Sequence, residues 1–168
     1  ENCEINNNTS IMGGAAGLHV TDNATFNMKG GCISENEALD GVGGGIHSSY
    51  TCVLNLNGGK ISDNKVWGRG GGININTGGN LVLGGTNITG NYAYKGNVLQ
   101  SCIVSETDGI YSWSEPTKET NYLANTGYGG GITVDAGSCT MNSGSLSGNY
   151  AETGGGGIAL VMLNLTGA

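Results

Sequence analysis

Proline is nearly missing from this chain, with Pro116 the only one, and lysine and arginine together number six. Six basic against thirteen acidic residues leave a net charge of -7, which repels phosphate backbones and provides no polybasic cluster for anionic headgroups. Nucleic acid is therefore excluded as an expected partner. No apolar run approaches the ~18 residues of a membrane span, and the opening ENCEINNN has neither the pattern of a signal peptide nor that of a basic transit segment. Direct membrane insertion is not expected. The five cysteines (Cys3, Cys32, Cys52, Cys102, Cys139) are an odd number with no CxxC and no Cys/His spacing, so neither zinc nor a disulfide framework is indicated. Mostly free thiols are expected, with Cys3 and Cys32 the one pair that neighbouring repeats could bring together.

What is abundant is glycine, 34 of 168 residues. Collagen is excluded, because there is no three-residue period and no proline to accompany one. The glycines instead cluster, as GVGGGIHS, GRGGGINI, GYGGGITV and ETGGGGIALV, with GGAAGLHV as a worn copy. A second motif keeps the same beat: INNN at Ile5, ISEN at Ile33, ISDN at Ile61, ITGN at Ile88 and LSGN at Leu146. The steps are 28, 28, 27 and 58. A third block of alternating apolar residues precedes the second: FNM at Phe26, LNL at Leu54, LVL at Leu81 and CTM at Cys139, with LNL at Leu163 starting a further copy.

Each repeat thus holds three short β-type segments between Gly, Asn, Ser and Thr turns, too brief for helices. No such unit buries its apolar side alone, and stacking successive copies at ~4.8 Å solves this by forming internal columns of like residues. The expected columns are Phe26, Leu54, Leu81 and Cys139; Met28, Leu56, Leu83, Met141 and Leu165; and Ile5, Ile33, Ile61, Ile88 and Leu146. Asn8, Asn36, Asn64, Asn91 and Asn149 form another, expected as an amide ladder at one turn of every coil. The same economy makes the sequons at Asn8, Asn23, Asn87 and Asn164 incidental in an asparagine-rich chain.

The paired GGGI and IxxN motifs, recurring every 26 to 28 residues, resemble the repeats of secreted bacterial surface proteins, including the polymorphic outer-membrane adhesins with their GGA[ILV] and FxxN motifs. Isoleucine stands here where that family often has phenylalanine, so the resemblance is to the broader repeat class. It implies an all-β, right-handed, single-stranded parallel β-helix of about five coils, the hand also following from the right-handed bias of parallel crossovers. Residues 1–168 are expected to form one β-helix segment. Because the chain begins and stops inside a repeat, it is expected to belong to a longer protein whose further repeats adjoin it.

One interval breaks the beat. Between Tyr92 and Tyr128 about 31 residues are surplus to the period, and an insertion there accounts for the 58-residue step. It holds six of the ten aromatics: Tyr92, Tyr94, Tyr111, Trp113, Tyr122 and Tyr128. SCIVSETDGIYSW reads as a hairpin turning at Asp108-Gly109. Tyrosine and tryptophan offer stiff, amphipathic contact area, so Tyr94, Tyr111, Trp113 and Tyr122 are candidate ligand contacts, unless they only pack the loop onto the solenoid. The strand after each glycine run turns His19, His47, Asn74 and Thr133 outward in one row and Thr21, Ser49, Asn76 and Asp135 in the next. His19, His47, Asn74 and Asn76 join the candidates. His19 and His47, about 5 Å apart on neighbouring coils, either bind a metal or decorate the surface; with no third ligand at a matching position, no metal or other cofactor is assigned.

The resemblance class also includes pectate lyases and polygalacturonases. A lyase needs a base and carboxylates around calcium, a hydrolase a carboxylate pair, and those families' NTD, GHG and RIK signatures are absent. The expected function is therefore a non-catalytic extracellular module at a bacterial cell surface. It would bind a mucin-type host glycan or a host protein such as a secreted immunoglobulin. A fragment of a carbohydrate-active β-helix enzyme and a pure spacer are the alternatives.

Overall fold

The computed structural model describes residues 3–99, 104–107, 110–113, 119–121 and 126–161. It is an all-β solenoid of about five coils, and every contact between successive coils is a parallel pairing of equivalent strands. Four faces run the length of the stack. Face A holds Thr25–Met28, Val53–Leu56 and the first halves of two long strands, Asn80–Thr89 and Ser138–Ser147. Face B holds Glu4–Asn6, Cys32–Ser34, Lys60–Ser62 and the second halves of the same long strands. Face C holds Thr9–Ser10, Glu37–Val42, Lys65–Arg69, Tyr92–Tyr94 and Tyr150–Ala151. Face D holds Leu18–Val20, Ile46–Ser48, Ile73–Ile75, Ile132–Asp135 and Ile158–Val161.

Three of these faces are the three segments expected from the repeat, and face C is a fourth. Its strands follow the asparagine turn at once, in NEALDGV, NKVWGR and NYAY, where glycine and charge mask the β pattern. Their inward residues are small, and Ala38, Val66 and Ala93 form a separate buried column with Ala16 and Ala151 against it.

The main core is the set of stacked columns. Phe26, Leu54, Leu81 and Cys139 stand in register, as do Met28, Leu56, Leu83 and Met141. Leu54, Leu56, Ile61, Leu81, Leu83 and Ile88 are fully buried, each such side chain contributing roughly 1.5–3 kcal/mol by leaving water. Met141, in the last described copy of its column, is 44% exposed; the next position, Leu165, lies outside the described residues. Face D adds Ile46, Ile73 and Ile132 as a further column.

The asparagine column is a continuous ladder. Asn8, Asn36 and Asn64 each donate from Nδ2 to Oδ1 of the asparagine one coil on, at 2.8, 2.9 and 2.9 Å. Asn91 donates likewise to Asn149 at 2.9 Å although 58 residues separate them. Asn80–Thr89 stacks directly on Ser138–Ser147, so no coil lies between them.

The surplus residues leave the solenoid at the corner from face C to face D. Asn97–Leu99 pairs antiparallel with Glu119–Asn121, and Val104–Thr107 with Ile110–Trp113. The second pairing, which ends at Thr107 with Ile110, has the register expected of the hairpin, while its expected turn residues Asp108 and Gly109 lie outside the described residues. Cys3, Cys32, Cys52 and Cys139 are free thiols. Cys32 stands in register with Glu4, which leaves Cys3 one residue out of line for a bridge.

Candidate functional site

Two constellations lie on the outside of the coils. The first is on face D, where four members of the two outward rows expected to be open to solvent are covered: Asn74 and Thr133 are 0% exposed, and His47 and, in the second row, Asp135 are 5%. The cover is the glycine corner, which curls back over the strand it precedes. Thr133 donates its hydroxyl to the carbonyl of Tyr128 at 2.9 Å. Gly70, with φ +70°, lies so close to its strand that a Cβ would collide with the carbonyl of Ile73, so only glycine closes this corner.

Under the corners runs one chain of hydrogen bonds. Arg69, at the end of its face C strand, donates to Oδ1 of Asp135 at 2.8 Å, and Asn74 donates from Nδ2 to Oδ2 of the same carboxylate at 3.0 Å. The carbonyl of Asn74 then faces Nδ1 of His47 at 3.0 Å. Since Asn74 offers an oxygen there, Nδ1 of His47 carries the proton and Nε2 the lone pair. Nε2 of His47 lies 2.9 Å from Oγ of Ser49, and Nε2 of His19 lies 2.7 Å from the same oxygen. Ser49 therefore donates to His47 and accepts from His19. The two rings are 4.8 Å apart and tilted by 32°, at the spacing expected of neighbouring coils.

Ser49, His47 and Asn74 are connected as nucleophile, base and orienting group. Burial, followed by the neighbouring His19, lowers the pKa of His47 from 6.5 to about 4, against the opposing pull of Asn74 and Asp135. A base that weak draws the serine proton poorly at neutral pH. Asn76 stands apart from this chain, exposed in the next turn with its Oδ1 accepting from the amide of Thr77.

The second constellation is on face C. Tyr92 and Tyr94, grouped with the insertion by sequence, stand in register with Lys65 and Trp67, and Tyr92 also with Tyr150. Trp67 stacks on Tyr94 at 4.5 Å, Tyr94 on Tyr92 at 5.9 Å, and Tyr92 meets Tyr150 at 5.5 Å. Tyr92 is 37% and Tyr150 49% exposed, while Trp67 and Tyr94 are half-buried. Burial raises the Tyr94 phenol above its usual range, with the neighbouring Tyr92 and Glu37 adding to the effect. The strip is flanked by the insertion, whose strand Asn97–Leu99 runs beside Glu37–Val42 and Lys65–Arg69.

Of the sequence candidates, His19, His47 and Asn74 are brought together, and Tyr94 joins an aromatic strip. Tyr111 and Trp113 are placed by backbone in Ile110–Trp113, and Tyr122 lies outside the described residues. Trp67, Tyr150, Arg69 and the bridging role of Ser49 were missed. Trp67 had a signal: it follows Asn64 by three residues, as Tyr94 follows Asn91. Arg69 had none, since it meets Asp135 across 66 positions.

Compared with protein-family models, curated proteins and solved structures, the chain matches none.

Proposed function

We propose that this chain is a non-catalytic binding module of a bacterial cell-surface protein, which holds a host ligand against face C and the adjoining insertion. One observation carries the reading: the aromatic strip of Trp67, Tyr94, Tyr92 and Tyr150 and the strand Asn97–Leu99 occupy the same side of the solenoid. A rigid scaffold that displays clustered aromatics beside an inserted loop is suited to recognition.

Between a glycan and a protein, the geometry favours a protein. Sugar rings stack on open aromatic faces, but Tyr94 lies between Trp67 and Tyr92, and Tyr92 between Tyr94 and Tyr150. What the strip offers is ring edges and phenol groups, the contacts typical of protein interfaces. The extracellular setting rests on the resemblance of the repeat.

The test is a screen of host proteins and mucin-type glycans on the intact chain, on Tyr92→Ala/Tyr150→Ala and on a deletion of residues 97–126. Both changes should abolish retention of one protein partner while the solenoid stays folded. Retention that survives both would refute the assignment, and retention of a glycan alone would move the ligand to the other class.

A further inference from the structure

We propose that His19 and His47 form a binding site for a divalent transition-metal ion of the Zn2+ type, one that fastens the first coil to the second. The site lies on face D and is independent of ligand binding on face C.

Both imidazoles aim Nε2 at one point, the oxygen of Ser49, from 2.7 and 2.9 Å. That point now holds a hydroxyl that bridges two ring nitrogens. An imidazole-bound zinc sits ~2.0–2.1 Å from each nitrogen, so the rings close slightly on the ion as the hydroxyl turns aside. His19 is exposed, which leaves it free to make this adjustment and leaves solvent access for water to complete the coordination.

The support behind His47 is already that of a metal ligand. A ligating histidine needs its other ring nitrogen held by a carbonyl or carboxylate, which fixes the tautomer and aims the lone pair. Here Asn74 holds Nδ1–H, Asp135 holds Asn74, and Arg69 holds Asp135. Three buried or half-buried groups from other coils thus point one lone pair at one spot. With Nδ1–H held by Asn74, the Nε2 lone pair of His47 is the one presented to the metal. His19 needs only to move its proton from Nε2 to Nδ1.

Among the described residues no third histidine, cysteine or carboxylate joins the pair, so the remaining positions fall to water and Ser49. Two imidazoles with oxygen ligands suit Zn2+, Cu2+ or Ni2+ and discriminate against Mg2+ and Ca2+.

The sequence contains two histidines, so their ring resonances are assigned without ambiguity. Zn2+ is titrated into the 15N-labelled chain while long-range proton-nitrogen spectra are recorded. The Nε2 signals of both rings should move together and saturate at one equivalent, with a rise in melting temperature. His19→Ala, an exposed change that leaves the fold intact, should weaken the response of His47 by at least roughly tenfold. Rings unmoved at a large excess of Zn2+ would overturn the proposal, as would a His47 response unchanged in His19→Ala. Zinc captured by the thiols of Cys3 or Cys32 would leave both rings unmoved and counts against it.

Discussion

Replacing Asn64 by alanine isolates what the asparagine ladder contributes. Asn64 is fully buried and makes four hydrogen bonds through its side chain. It donates to the carbonyl of Ile33 at 3.0 Å and to Oδ1 of Asn91 at 2.9 Å. It accepts from the amide and from Nδ2 of Asn36 at 3.1 and 2.9 Å. In Asn64→Ala the Asn91 oxygen keeps the backbone amide of residue 64 and the Ile33 carbonyl stays within the parallel ladder to Lys60–Ser62, so two groups are orphaned: the backbone amide and one Nδ2–H of Asn36. At ~1–3 kcal/mol per orphan, reduced if one water enters the gap, the expected loss is about 2–4 kcal/mol. Asn8 is exposed at the start of the ladder, where water replaces its bonds, and Asn8→Ala should lose no more than about 1 kcal/mol. Urea unfolding measures both, and the slopes must agree with wild type for the midpoints to be compared. Equal losses at the two positions, or a loss at Asn64 under about 1 kcal/mol, would refute the ladder as a stabilising element.

Glu35 occupies the left-handed region at φ 57°, at the turn position where later coils have Gly90 and Gly148 at 65° and 61°, so Glu35→Gly should raise stability by roughly 0.5–1 kcal/mol, read as a higher melting temperature. Ser48 is buried with its hydroxyl unpartnered in a column with Val20, Ile75 and Val134, and Ser48→Val should stabilise the chain by about 1–2 kcal/mol in the same unfolding assay. The pKa of His47 is lowered to about 4 in the folded chain, so between 6.5 and 4 the unfolded chain binds the extra proton. Stability should therefore be full above pH 6.5, fall by roughly 2–4 kcal/mol as the pH drops to 4, and level off below it. His47→Gln should flatten that part of the profile, and a slope left unchanged would clear His47 as its source.

Much of the fold could be read from spacing. The IxxN motif repeats at 28, 28 and 27 residues, and each apolar position of one copy meets the same position of the next at every register pair of faces A and B. Face C was not read because its inward residues, Ala38, Val66 and Ala93, are small and its outward residues irregular, which leaves little alternation to detect. The signal was present in the offset from the asparagine, since all three follow it by two residues. The glycine corners were understood as turns, but their cover over face D was not, and that cover turns an expected polar surface into a buried chain of side chains.

The sequence by itself determined the period, the inward columns, the asparagine ladder and the place of the interruption. These follow from repetition, because in a stack of parallel coils a residue's neighbour is its own counterpart one period away. Only the tertiary structure decided what crosses columns. Arg69 reaches Asp135, Asp135 holds Asn74, and two histidine nitrogens meet at Ser49. Those contacts join different positions of the repeat, on different faces and across the insertion, so no period encodes them. They depend on how sharply each glycine corner folds back and which side chains it encloses.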